Sequence, residues 1–461
     1  MLTASFMIIR VRQLLGRKFI QDTLVLQVGK VGLVALSLIS TVLVGRLLGP
    51  EGYGDFGLAL SFLLIWQTLD LTGIGPSTGT RLAIAIGARD DGEILNLMGN
   101  YVKVSIAISL GIILLIALVG APVAAQLYDG KAQIGTLALG LAVAGLADAL
   151  YGLLIIGLQS RRSMRTLALM QNVNQLVLTV SVVAAVIIRP TPESLVIARI
   201  IYSYGTMLLA FAVYERQRTD REITYPPLRA VFARAVTVSP RPYWRFGVAN
   251  AVDKNLAQLF IQVPIQLVGI FAGARAVGYL NLALNGITQA GIFTSAVFEN
   301  MQAVVPQAVG RGDYAGLRRD FLLVLVALGV GGVIFYGIVA LAAPLLIPLV
   351  LGENWIPAIP PLVVLALYGA VTTFGGNFGP LYRAFNLMRQ IIVIKLLGLV
   401  ILLPAGIILL QGLVNGQAVL GDEARAGAGA LGGAVLIDLL FLLSVVLTAW
   451  VTLPELKKRA E

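Results

Sequence analysis

Apolar stretches of about 20 residues recur along the whole chain, each closed off by a short polar or glycine-rich interval. That is the length a helix needs to cross about 30 Å of hydrocarbon. The runs are continuous rather than alternating, which selects helices over barrel strands as the way to satisfy a backbone in lipid. The pattern predicts about 12 transmembrane helices, beginning near Asp22, Tyr53, Asn96, Ala132, Leu167, Glu193, Phe246, Ala276, Leu317, Ile356, Ile391 and Gly427. The second and eighth are long and interrupted, the second by Gly73-Ile74-Gly75-Pro76 and the eighth by Pro306. A proline there frees a carbonyl and kinks the helix.

The polar positions inside these spans are not scattered. Asn250, Lys254, Gln258, Gln262 and Gln266 follow at i, i+4 spacing along the seventh span. In the eighth, Asn281, Asn285, Thr288, Ser295, Glu299 and Gln302 fall within a sector of roughly 100° at 3.6 residues per turn. In the first, Lys30, Ser37 and Thr41 share a face. Single amides serve as interhelical glue at about 0.6 kcal/mol each. Helices polar along their full depth on one side are expected instead to line a hydrated cavity.

A repeat divides the chain. VGRLLGPEGYGDFGLAL from Val44 and VGIFAGARAVGYLNLAL from Val268 share 7 of 17 positions at an offset of 224 residues. An even number of spans separates the copies, so both run the same way across the membrane. The expected fold is all-α: two parallel six-helix lobes related by a pseudo-twofold axis along the membrane normal. The glycines Gly45, Gly49 and Gly54, against Gly269, Gly273 and Gly278, suit a tight turn and close helix approach. The same offset lays Lys30 on Lys254. A charge inside a span costs about 3 kcal/mol or more unless it meets water, a partner or a ligand.

Charge then orients the chain. With the N-terminus inside, 24 of the 34 Lys and Arg fall in inside segments and 5 in outside loops, the bias expected of inner loops. Both termini are therefore expected on the cytoplasmic side. The divisions are a basic amphipathic segment (1–20), an N-lobe (21–213), a basic cytoplasmic linker (214–245) and a C-lobe (246–461). The linker is too short for a catalytic domain. Its charge is expected to meet anionic lipids, and the net charge of +11 calls for no nucleic-acid partner.

Composition sharpens the class. Hydrophobic residues make up 58% and charged residues 12%, and mean hydropathy is +0.89, whereas soluble domains carry about 25% charged residues. The chain has no Cys and no His, which removes disulfides, His/Cys zinc sites and imidazole or thiolate catalysis. It has no P-loop sequence. No enzyme activity, cofactor or metal is expected, although coupling to H⁺ or Na⁺ fits the buried carboxylates Asp70, Asp148, Asp253 and Asp438. Lys103 and Lys395 also lie within or near spans.

The stretch GRLLGPEGYGDFGLALS, Gly45 to Ser61, resembles the R-x-L-G-P-x-x-Y-G turn of bacterial polysaccharide-exporting flippases. These belong to the multidrug/oligosaccharidyl-lipid/polysaccharide exporter superfamily. GLQSRRSMRTLALMQNVNQLV, Gly157 to Val177, resembles their inner loop between spans 4 and 5. The resemblance implies two lobes around a cationic cavity in the bacterial inner membrane. It also implies alternating access for a lipid-linked (undecaprenyl-diphosphate) oligosaccharide, in a monomer that works beside polysaccharide-assembly proteins. Lys30 and Lys254 would attract the diphosphate and the polar stripes would hold the sugars. The alternatives are a multidrug cation antiporter or a lipid II flippase of the same superfamily. A membrane-embedded glycan-assembly enzyme is a further alternative, disfavoured by the missing His and the short outer loops.

Overall fold

The computed structural model describes residues 17–161, 163–218 and 225–461, all helices and short connections. Most of the predicted N-terminal segment lies outside these residues, as do the side chains of Lys30, Ser295 and Glu299.

Ten helices among the described residues are long and apolar enough to cross a membrane. Two of them hold two spans each. The helix Arg17–Gln67 bends at Gly49 (φ 68°, ψ 176°) and the helix Arg241–Ala290 bends at Gly273 (φ 81°, ψ 178°). The 12 predicted spans are therefore present, and the two bends stand at the repeat's offset. Both glycines take a left-handed φ that side chains resist, and neither has a neighbour where a Cβ would stand. Backbone conformation, not crowding, requires glycine at these two positions.

In the N-lobe, span 1 (17–48) and span 2 (50–67, continued by Ile74–Ala88) are followed by span 3 (Asp91–Leu127) and span 4 (Gln133–Ser160). Span 5 (Met164–Ile188) and span 6 (Pro192–Gln217) complete it. The C-lobe repeats the order. It has span 7 (241–272), span 8 (274–290, continued by Ile292–Gly310) and span 9 (Tyr314–Leu351). Span 10 is Ile359–Gly375, continued by Phe378–Ala384, and spans 11 and 12 are Met388–Gln417 and Asp422–Ala460. Even the caps repeat. The Asp90 carboxylate accepts from the Glu93 amide at the start of span 3, and Asp313 accepts from the Gly316 amide at the start of span 9.

The break in span 8 differs from expectation. Pro306 lies inside a continuous helix, and the interruption falls at Gly291. Pro306 lies past the middle of this second segment and breaks nothing.

The lobes meet backbone to backbone. A Cβ at Gly54 would stand 1.8 Å from the Ala274 carbonyl oxygen, and one at Gly278 would stand 2.0 Å from that of Pro50. These reciprocal contacts mark the pseudo-twofold axis at the outer end, where spans 2 and 8 cross. At the other end, a Cβ at Gly73 would lie 2.4 Å from the Gly247 carbonyl oxygen. Large apolar side chains such as Leu118, Leu341 and Ile408 point outward, as a lipid-facing surface requires.

The linker is part of the N-lobe. Its helix Leu228–Thr237 buries Val231 and Ala235. The Arg234 Nε donates to Asn96 Oδ1 (2.7 Å), and Lys103 Nζ donates to the terminal carbonyls of Val236 and Val238 (3.2 and 2.9 Å). Tyr225 donates to the Gly157 carbonyl (2.8 Å) beneath the Arg161 guanidinium, 3.5 Å from its ring centroid. Burial pushes the Tyr225 phenol up to about 12.

Candidate functional site

Two cavities lie along the seam between spans 2 and 7. The inner one, toward the basic loops, has a volume of ≈ 270 Å³. Span 7 contributes Asn250, Lys254 and Gln258, and the end of span 2 contributes Gln67 and Asp70. Span 3 adds Tyr101, Ser105 and Ser109, a polar stripe at i, i+4 spacing. Lys254 is exposed there, among amides and hydroxyls.

The break in span 2 shapes this cavity. Its first segment ends at Gln67, so the carbonyls of Thr68 and Asp70 lose their helical partners. Asn255 Nδ2 donates to both, at 2.8 and 2.9 Å. Asp70 Oδ1 accepts from the amide and the hydroxyl of Thr72 (2.9 and 2.5 Å), an Asx turn that leads into Gly73.

The outer cavity, ≈ 240 Å³, is walled by spans 2, 7 and 8. Ser61 and Gln262 stand near its base, and Tyr53, Asn281, Asn285 and Thr288 higher up. Asn285 Nδ2 donates to the Tyr53 hydroxyl (2.6 Å), and Thr288 donates back to its own helix at Leu284 (2.8 Å). Asn281 Nδ2 is buried, has no hydrogen-bond partner among the described residues, and rests against Gly57, whose missing side chain makes the room. The two cavities abut where Gln258 Nε2 donates to the Leu64 carbonyl (3.5 Å), since Gln258 lines one and Leu64 the other.

The stripe on span 7 does not face a cavity throughout. Each i, i+4 step turns about 40°, so Gln266 is rotated about 160° from Asn250. Gln266 is buried, accepting from the Tyr128 hydroxyl and donating to the Leu58 carbonyl (3.4 Å). Gln262 is buried too, and its backbone carbonyl accepts from Ser61 (3.3 Å). Gln266 thus acts as amide glue beside the outer cavity. Across the pseudo-equivalent seam, Gln289 of span 8 donates to Ser37 of span 1, and Thr41 sits half-buried one turn on. Gln302 is exposed on the second segment of span 8, outside both cavities.

The four carboxylates have four different environments. Asp148 pairs with Arg199 (3.0 Å), each about one-third exposed. Asp253 turns away from the inner cavity and is buried in the C-lobe, with Lys395 at 2.5 Å, Arg383 at 3.6 Å and the Tyr382 hydroxyl donating at 2.8 Å. Asp70 is braced in the turn just described. Asp438 is buried in span 12, and its Oδ1 has no partner among the described residues. Lys131, in the loop between spans 3 and 4, bridges Glu51 (3.0 Å) and Asp55 (3.1 Å) at the start of span 2. Burial opposes its charge, but the two carboxylates outweigh that and hold the ammonium above its ordinary value.

Sequence reasoning missed the stripe Tyr101–Ser105–Ser109, although its spacing was there to be read. It also missed Asn255, which lies off the i+4 series but supports the broken end of span 2.

A broken-helix seam lined with amides, between two repeats, is the arrangement in which secondary transporters place their binding sites. Residues 19–306 match the family of polysaccharide biosynthesis proteins, and the chain belongs to it. No curated protein sequence matches. Among solved structures, an inward-facing multidrug resistance MATE family transporter of the MOP superfamily superposes with a TM-score of 0.69 at 14% identity, covering 92% of this chain and 96% of that one. The eukaryotic MATE transporter AtDTX14 gives 0.65 at 16% identity, covering 95% and 96%. A MOP superfamily transporter from Pyrococcus furiosus, described as having a binding pocket of reverse polarity, gives 0.61 at 16%, covering 94% and 95%. The likeness is one of fold: two lobes of membrane helices.

Proposed function

We propose that this transporter is a flippase for an undecaprenyl-diphosphate-linked oligosaccharide, moved from the inner to the outer leaflet of a bacterial cytoplasmic membrane by alternating access. The supporting observation is the inner cavity. It presents the Lys254 ammonium beside Asn250, Gln258, Tyr101 and Ser105, a lining suited to an anionic headgroup carrying hydroxyl-rich sugars. Lys30, its equivalent in span 1, is proposed as the second cation. The polyprenyl tail stays in lipid while the lobes rock about the glycine contacts at their interface.

Asp70 lines the same cavity and favours a second reading, a cation exporter. Against it, one carboxylate oxygen is already committed to Thr72. For coupling to H⁺, Asp438 is the proposed group, because Asp148 and Asp253 are neutralised by cations. Asp438→Asn should abolish any dependence of transport on a pH gradient and keep downhill exchange. An unchanged response to the gradient would remove Asp438 from the scheme.

Spheroplasts of cells depleted of the protein test the main reading. Lipid-linked oligosaccharide should accumulate and stay inaccessible to an added impermeant glycosidase. Full accessibility would refute the flippase reading.

A further inference from the structure

The outer cavity holds a group that no described residue satisfies. A buried amide donor without an acceptor costs about 1–3 kcal/mol, and Asn281 Nδ2 is such a donor, in the wall of a cavity at the lobe interface. Around it stand the Tyr53–Asn285 pair, which leaves acceptor capacity on the Asn285 carbonyl, and the ring of Phe56. Amides at fixed positions beside an aromatic ring are what a single sugar ring needs, with hydroxyls at its edge and C–H groups on its face. At ≈ 240 Å³ the cavity lies below the about 300–1,000 Å³ of drug-sized pockets. Among the described residues that line it none is a cation, unlike the inner cavity with Lys254.

The two cavities sit on one face of the same two helices. Along span 7 the separation from Lys254 to Gln262 and Ile265 is about 12–17 Å at 1.5 Å per residue, the reach of about two or three sugar units. They abut at the Gln258–Leu64 contact.

Resting on the flippase reading, we propose that the outer cavity is a sugar-reading subsite. It binds a neutral sugar unit two or three positions from the diphosphate, with Asn281 and Asn285 as the residues that determine specificity and Gln258 as the partition. The transporter thereby selects for a glycan long enough to bridge both cavities.

The test uses the full chain in proteoliposomes and two probes, undecaprenyl-diphosphate carrying a single hexose and undecaprenyl-diphosphate carrying a tetrasaccharide. Translocation is read as accessibility to an impermeant glycosidase. Wild type should move the tetrasaccharide probe about tenfold faster than the hexose probe, the size of effect that about 1.4 kcal/mol of added recognition gives. Asn281→Leu and Asn285→Ala should each bring the tetrasaccharide-to-hexose rate ratio down from about ten to about one. Asn281→Leu should melt no lower than wild type in detergent, because it removes an unsatisfied donor. Equal loss on both probes, no loss on either, or a lower melting point with parallel loss of both activities would overturn the subsite. Transport of neither probe by wild type would instead overturn the flippase reading on which it rests.

Discussion

Replacing Lys395 with methionine isolates the buried ion cluster of the C-lobe. The Asp253 side chain is 3% exposed and that of Lys395 12%. Removing one partner of such a pair strands a charge, at a cost of about 3–5 kcal/mol. Two groups soften this. The Tyr382 hydroxyl keeps its 2.8 Å bond to the carboxylate, and Arg383, at 3.6 Å and about half exposed, supplies a partly screened charge. A net loss of about 2–4 kcal/mol follows, below the full penalty but well above a surface pair. Lys395→Met with Asp253→Leu removes both charges and should recover most of the loss. The assay is a double-mutant cycle on thermal stability in detergent, followed by size-exclusion fluorescence. Additive effects, or a single variant costing less than about 0.5 kcal/mol, would refute the claim that the pair is coupled and dry.

Other expectations follow from the same geometry. Gly54→Ala sets a Cβ 1.8 Å from the Ala274 carbonyl oxygen, so the lobes must part at the outer end. A cost of at least about 2 kcal/mol and greater accessibility of introduced cysteines in the outer cavity are expected, read by maleimide labelling in this naturally Cys-free chain. Tyr225→Phe deletes the bond to Gly157 but keeps the ring under Arg161, so it should cost about 1 kcal/mol of thermal stability. Lys131 has a folded pKa above its ordinary 10.5. Its contribution is therefore complete below that pH and lost as pH rises through the folded value. With 39% of the side chain exposed, Lys131→Met should cost under about 1 kcal/mol at neutral pH and nothing once the wild-type ammonium has lost its proton.

How much was legible depended on the range of the interaction. The 12 spans and the repeat come from local apolar length and an internal offset, and Gly49 and Gly273 emerged as one bend used twice. Lys254, Asn250 and Gln258 reach the inner cavity because a stripe holds its heading over two turns. Gln266 leaves it because the same stripe keeps rotating. The ion pairs were not legible: Asp253 and Lys395 stand 142 residues apart, and nothing near either names its partner. The linker's packing was not legible for a related reason: Arg234 donates to Asn96, and Tyr225 and Val231 pack into the N-lobe. Amphipathic pattern tells that a face is buried, not against what.

The most direct test of the account is reconstitution of the purified chain into liposomes with a fluorescent undecaprenyl-diphosphate oligosaccharide and, separately, a cationic dye. The account predicts movement of the lipid-linked sugar, its loss in the Lys30→Ala, Lys254→Ala double variant, and no movement of the dye. Transport of the dye without the lipid-linked sugar would contradict it.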